Sequence, residues 1–466
     1  MVEKPRSGLN KNGRKNNNHN NTDYTKQIAR TTQSPSGQSI RKMPPKQQQQ
    51  KQTAIEKQKE IAHKSRGYKD GGGFFRKKGP VVEVVRYREG VDRLFLILVM
   101  IMLCLGTVMI FSASYANALQ YYGDSYFFAK KQLMMAGLGL VGMIIMSYLA
   151  DYRYLEKFAV PIFIVTLFAN YITPFIGKVT NGATRWIMIF GFQFQPSEFL
   201  KLAVVILFAF YITKVGEKMK KSKLGVWGVW VPVLIIGSIC GAMMLQKHLS
   251  GMIILGLLCV AMMLIGETTP VFFGIGGTGA AFAIFYVIKY TDKVIEILNN
   301  IGMEHAGKRL AVWLDPFIDP RGDGHQIIQS LYAIGSGGLT GLGWGQSRQK
   351  FLYLPEPQND YIFAILCEEM GFIGAIIIIA LFILLIWRGF VIAYHAPNKF
   401  SSIVVMGITI KVALQFLLNI AVVTNILPAT GIPLPFFSYG GTALIVLMAE
   451  MGIILSISRY SYQEKP

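Results

Sequence analysis

Ten apolar runs recur along this chain, near 93–113, 132–149, 157–174, 197–213, 227–245, 249–266, 270–289, 361–387, 401–427 and 439–457. Each approaches or exceeds the roughly 20 residues that a helix needs to cross the hydrocarbon core of a bilayer. In lipid, backbone N–H and C=O groups must be satisfied within the protein, so segments of this length are expected to be helical. The predicted fold class is an all-α polytopic membrane protein with ten transmembrane helices. Composition agrees: of 466 residues, 52% are hydrophobic and 16% charged, a bilayer balance rather than that of two or three soluble domains.

The formal charge of +21 is no nucleic-acid signature, because most of it is local. Residues 1–90 hold 21 Lys plus Arg against 7 Asp plus Glu, which puts +14 in that segment and +7 in the rest. The segment is rich in Asn, Gln, Ser and Gly, has no apolar periodicity, and is expected to be a disordered basic cytoplasmic tail. It lacks the apolar core of a signal peptide. A solvated tail or attachment to anionic headgroups suits it better than nucleic acid, which is not an expected partner. Cys104, Cys240, Cys259 and Cys367 all fall in apolar runs, and the 6 histidines are scattered. Neither a disulfide framework nor a zinc site is implied.

An even number of spans puts both termini on one side. The connection after the fourth run carries Lys214, Lys218, Lys220, Lys221 and Lys223 against Glu217, which marks it, and therefore both termini, as cytoplasmic. Counting outward, the connections at 114–131, 175–196 and 428–438 are extracytoplasmic, and so is a large loop at 290–360. The expected organisation is a tail over 1–90 and a membrane domain over 91–460.

That large loop is where chemistry is expected. Its stretch WLDPFIDPRGDGHQIIQSLYAIGSGGLTGLGWGQSRQKFLYLPEPQND, residues 313–360, is polar and glycine-rich, more than a turn between spans requires. Asp315, Asp319 and Asp323 crowd nine positions, with Glu356 and Asp360 following. Such acids serve as general bases or hard-cation ligands, although Asp before Pro is also an ordinary turn former. The glycine run lacks the order of a phosphate-binding P-loop.

Two further sets lie at the same face. NGATRWI at 181–187 precedes FQPSEFLKL at 194–202, where Glu198 and Lys201 share a helix face after Pro196. A charged pair inside a bundle is costly unless it is used or well paired, so catalysis and a structural lock both fit. Glu368 and Glu369 inside the eighth run raise the same question. Near the last span Gln415, Asn419 and Asn425 precede PATGIPLPFFSYGG at 428–441, an irregular backbone that survives at membrane depth only when buried in protein or lining a wet cavity.

These motifs, in this order over about residues 90–460, resemble the SEDS family of bacterial shape, elongation, division and sporulation proteins, especially its division and sporulation members. The resemblance implies a ten-helix enzyme that polymerises lipid II into glycan strands, expelling undecaprenyl pyrophosphate. The family's essential aspartate, in the second Asp-Pro, falls on Asp319, with Asp315 ranked lower. Arg185, Glu198, Lys201, Arg309, Lys350 and Glu356 match positions of the same motif blocks and are the implied substrate-binding residues. The chain departs from the family at 245–250, where LQKHLS stands in place of a segment with Pro and Asp.

The resemblance further implies lipid II and the undecaprenyl-linked nascent glycan as substrates, and a class B penicillin-binding protein with other divisome proteins as partners. The implied location is the bacterial inner membrane at the division septum. No cofactor is implied beyond a divalent cation, Mg or Mn, as a candidate helper, and metal ligands are unassigned. A lipid II flippase and a non-catalytic divisome scaffold are the alternatives. The acid-rich outer loop, which neither needs, favours the enzyme.

Overall fold

The computed structural model describes residues 86–87, 90–149, 151–180, 183–189, 192–221, 226–266, 270–300, 304–322 and 324–463. Except for Arg86, Tyr87 and Gly90, the expected tail lies outside the described residues, as do Asp323 and part of the lysine-rich connection. The fold is a helix bundle, and each of the ten predicted runs falls on a helix. These helices are α1 (Arg93–Tyr122), α2 (Phe127–Ile144, prolonged by a π-turn over Ile145–Leu149), α4 (Ala159–Ile176), α5 (Pro196–Lys221) and α6 (Val231–Leu245). After them come α7 (Leu249–Ile265), α8 (Pro270–Lys289), α12 (Ile362–Tyr394), α13 (Lys399–Val423) and α14 (Gly441–Ser458). Eight of the described helices are long and apolar enough to cross a membrane, while α7 is an apolar helix of 17 residues and so rises about 26 Å.

The connections hold more structure than the sequence suggested. A short helix α3 (Arg153–Lys157) precedes α4, and strand β1 (Arg86–Tyr87) pairs with β5 (Tyr462–Gln463). Between α4 and α5, expected as a plain loop, lies a three-stranded antiparallel sheet of β2 (Lys178–Thr180), β3 (Ala183–Ile189) and β4 (Phe192–Phe194). The large loop is largely helical: α9 (Thr291–Asn300), α10 (Glu304–Leu314), a 3₁₀ turn (Pro316–Ile318) and α11 (His325–Ser336).

Local chemistry explains the ends of the long helices. Asp92 caps α1 by accepting from the Phe95 amide at 2.9 Å, and Gly123, in the left-handed region, closes it. Asn398 and Ser401 form a reciprocal capping box at the start of α13. The same end of the bundle is clasped by a short ion pair, Arg388 Nη2 to Asp92 Oδ2 at 2.6 Å. The Arg459 guanidinium also donates to the Ser147 carbonyl at 3.0 Å. The core runs along α5, α13 and α14, where Leu200, Phe208, Val404, Ile408, Met448 and Ile457 are fully enclosed.

The helix α12 is broken. Gly371 has φ 67° and ψ −168°, a conformation closed to side chains, so its backbone turns away from the helix. The glycine-rich run packs into the break: Leu342 and Gly343 amides donate to the Glu368 and Glu369 carbonyls at 2.9 and 3.0 Å, and Phe372 and Ile373 amides donate to Gly338 and Leu339 at 2.9 and 3.1 Å. A Cβ at Gly341 or Gly371 would collide with backbone of the other segment. The run is therefore a strap laced to a kinked helix.

Candidate active site

The bundle end opposite the Asp92–Arg388 clasp gathers the chemistry-bearing residues. The loop from α13 to α14 is held there by Asn419, whose amide nitrogen donates to the Asp360 carbonyl at 2.8 Å and the Ile432 carbonyl at 2.7 Å. The Tyr439 amide donates to Gln358 at 2.8 Å. From α10, Arg309 donates to the Ala429 carbonyl at 3.0 Å, and the Trp313 indole to Asn425 at 3.2 Å. Gln326 on α11 reaches the Pro355 carbonyl at 3.3 Å. The large loop is thus fastened to the bundle at several points.

Strand β3 carries Arg185 to the same place. Its Nη2 donates to the Lys247 carbonyl at 3.3 Å, while its buried Nε has no hydrogen-bond partner. Lys247 has φ 53° and turns the chain between α6 and α7 toward the arginine. The next residue, His248, is buried with Nδ1 unpartnered, over Gly251, where a Cβ would press on the ring. The departing segment 245–250 therefore belongs to this site.

Electrostatics tie the group together. Burial, and then repulsion from Arg309, pull Arg185 below the usual guanidinium range, with Asp360 acting in the opposite sense. Burial, reinforced by the cationic Arg185 and Lys201, holds His248 well below the ordinary imidazole range. The half-buried Asp360 is pushed up to about 6 by burial and the neighbouring Glu356 charge, against the opposing pull of Arg185 and Arg309. The phenol of Tyr361 is also buried, raised and unpartnered. Two guanidinium groups close enough for their like charges to repel, beside a carboxylate pushed up to about 6, form a site suited to a polyanion.

Beneath this layer Lys201 reaches both oxygens of Glu198, at 2.7 and 2.8 Å, with both residues buried. The expected shared helix face is present.

Lys350 takes a different place. Its ammonium pairs with Glu369 at 2.9 Å and donates to Ser112 at 3.2 Å, and the pair is enclosed. Glu368 beside it accepts from Ser347 Oγ at 2.5 Å and from the Arg348 and Gln349 amides at 3.0 and 3.3 Å. The two intramembrane acids thus anchor the strap to the break in α12. Glu356 is exposed, with φ 45°, and accepts from Asn359 at 2.8 Å.

The Asp-Pro acids build turns. Asp315 caps the 3₁₀ turn through the Phe317 amide at 3.0 Å, and Asp319 Oδ1 accepts from the Gly322 amide at 2.9 Å. Gly322 carries no Cβ, which leaves room for that carboxylate. Both acids are exposed. Among the described residues no three His, Cys, Asp or Glu side chains group as a metal site. A Mg or Mn helper therefore has no cradle of that kind among them.

Two further ionisable residues, which no sequence motif marks, meet inside the bundle. Lys411 on α13 and Glu450 on α14 form an enclosed ion pair at 2.5 Å. The signal was present, since each interrupts an apolar run, and ionisable residues at membrane depth are functional candidates.

Comparison with known proteins agrees with this architecture. The Cell cycle protein family of FtsW, RodA and SpoVE matches residues 92–463. Stage V sporulation protein E of Bacillus subtilis is 39% identical over 374 residues, covering 79% of this chain and 97% of the relative. A probable peptidoglycan glycosyltransferase FtsW of Geobacter sp. is 37% identical over 377 residues, covering 80% and 98%. Among solved structures, a chain from a peptidoglycan synthase complex superposes with TM-score 0.63 at 25% identity, covering 80% of this chain and 99% of that one. The rod shape determining protein RodA of Thermus thermophilus gives 0.56 at 24%, covering 80% and 98%, a likeness of fold. The chain is an integral membrane protein that belongs to the FtsW, RodA and SpoVE family.

Proposed function

We propose that this chain is a peptidoglycan glycosyltransferase that polymerises lipid II into glycan strands during division or septum formation. The observation that carries the reading is the Arg185, Arg309 and Asp360 cluster above the buried Glu198–Lys201 pair, in a chain matched along nearly the whole length of relatives named for this activity. On the positive-inside count this end of the bundle faces outward and both termini face the cytoplasm.

In the proposed reaction the 4-hydroxyl of the acceptor sugar attacks the anomeric carbon of the lipid-linked donor. The new glycosidic bond forms as the bond to undecaprenyl pyrophosphate breaks, and the hydroxyl proton passes to Asp319 as general base. A single displacement inverts the anomeric centre. Arg185, Arg309 and Lys201 stabilise the negative charge that develops on the departing pyrophosphate. Asp360 moderates the two arginines, Glu198 holds Lys201, and exposed Glu356 lies at the rim. The geometry favours an architectural role for Lys350 rather than the substrate contact its motif implied. A class B penicillin-binding protein and other divisome proteins are the proposed partners, because the solved complex that this fold resembles coordinates polymerization and crosslinking.

A carrier that only moves lipid II would also use buried charges and a broken helix. Purified protein mixed with lipid II in detergent separates the two, because transport has no meaning there. A glycan ladder on a gel supports the enzyme, and its absence under conditions where a control polymerase works would overturn it. Repeating the assay with a chelator tests whether a divalent cation helps.

A further inference from the structure

The Lys411–Glu450 pair is the least explained feature of the bundle. Each residue sits near the middle of its helix, Lys411 within Lys399–Val423 and Glu450 within Gly441–Ser458. Both are enclosed, and the ammonium meets only one carboxylate oxygen, at 2.5 Å. The other oxygen, Oε1, has no hydrogen-bond partner. A pair that served only to lock two helices would be expected to use both oxygens, since an unsatisfied buried carboxylate oxygen is destabilising.

The pair also has neighbours. α5 packs against both α13 and α14, which brings Glu198 and Lys201 within electrostatic reach of Lys411 and Glu450. The series continues outward, with His248 within reach of Lys201 and Arg185, and Arg185 within reach of Arg309 and Asp360. Ionisable groups thus follow one another from the middle of the bundle to the site. In a medium of low dielectric such interactions are weakly screened.

We infer that Lys411 and Glu450 are positioning residues for the outer site: their paired charges fix the placement and charge of Lys201 against Glu198, and through Lys201 the readiness of the site for the pyrophosphate leaving group. This rests on the glycosyltransferase reading. The groups that face Lys201 are Glu198 from its own helix, Lys411 and Glu450 from α13 and α14, and His248 from the turn between α6 and α7. Removing the Lys411–Glu450 field should change turnover more than lipid II binding, because the effect falls on charge that develops as the bond breaks.

Two double variants separate this role from a structural lock. Lys411→Met with Glu450→Leu replaces the pair by apolar side chains, a change that buried pairs often tolerate without loss of stability. Lys411→Glu with Glu450→Lys keeps a pair but reverses its direction relative to Lys201. Polymerisation of lipid II in detergent is followed across about pH 5 to 9, alongside thermal melting. Both variants should melt as the wild type does, lose about tenfold or more in kcat with little change in KM, and show a displaced pH profile. Wild-type kcat and pH profile in either folded variant would overturn the inference. Should both fail to fold, the isosteric Glu450→Gln decides by the same two readouts. If the wild type itself makes no polymer, the glycosyltransferase reading fails instead.

Discussion

Replacing Lys350 by Met would show what the buried Lys350–Glu369 pair does. In the native chain Glu369 accepts from Lys350 at 2.9 Å and from Ser112 at 2.6 and 2.8 Å, and its side chain is fully enclosed. Lys350→Met leaves that carboxylate with the Ser112 hydroxyl alone. Breaking a buried pair by removing one partner costs about 3 to 5 kcal/mol, because the remaining charge is stranded. At about 2 °C per kcal/mol for a large domain, the melting temperature should fall by about 6 to 10 °C. The double variant Lys350→Met with Glu369→Leu removes both charges and should recover most of that loss. Melting in detergent measures the first effect, and a lipid II gel assay measures whether the site survives. The double variant should melt near the wild type and still polymerise. A double variant that is folded but inactive would refute this account and return Lys350 to the substrate.

Gly371→Ala should destabilise the protein by about 1 to 3 kcal/mol from backbone strain alone, with more from collision with the strap at Gly341 and Leu339; a melting temperature equal to the wild type would mean that the break in α12 is not fixed by this glycine. Asp360, which titrates near 6, should give the apparent KM for lipid II an inflection there: below it the protonated acid no longer offsets Arg185 and Arg309, and KM falls. Asp360→Asn should show the low KM at every pH, and an unchanged inflection would exclude Asp360 as its source. The same shift has a stability consequence. Between the ordinary carboxylate value of 3.8 and about 6 the folded state keeps a proton that the unfolded state has lost, so Asp360 makes the protein less stable as pH rises through that window. In Asp360→Asn that part of the pH dependence of melting should vanish.

Membrane class was legible in the sequence because apolar run length is dictated by bilayer thickness, a constraint no tertiary contact can override. The Glu198–Lys201 pair was legible for a similar reason, since spacing of three on a helix after Pro196 settles a shared face. What escaped depended on contacts distant in sequence. Nothing local says that the glycines at 337–345 lace into a break at Gly371, because the break needs the strap and the strap needs the break. Nor does local sequence show that Glu368 and Glu369 bond to Ser347 and Ser112, which lie 21 and 257 positions away. The hairpin that presents Arg185 was hidden in a segment too short and polar to show a strand period. His248 stood in a segment where the family motif fails, so resemblance directed attention away from it.

Asp319 is the proposed general base on the acceptor hydroxyl, although locally it accepts from Gly322 and shapes a turn. The most direct measurement is polymerisation of purified lipid II by Asp319→Asn beside the wild type, with melting curves for both. Asparagine still offers the turn an acceptor oxygen but cannot take a proton, so the variant should remain folded while polymerisation falls by at least about 10². A folded Asp319→Asn protein that builds glycan at the wild-type rate would contradict the assignment and make Asp319 a turn residue only.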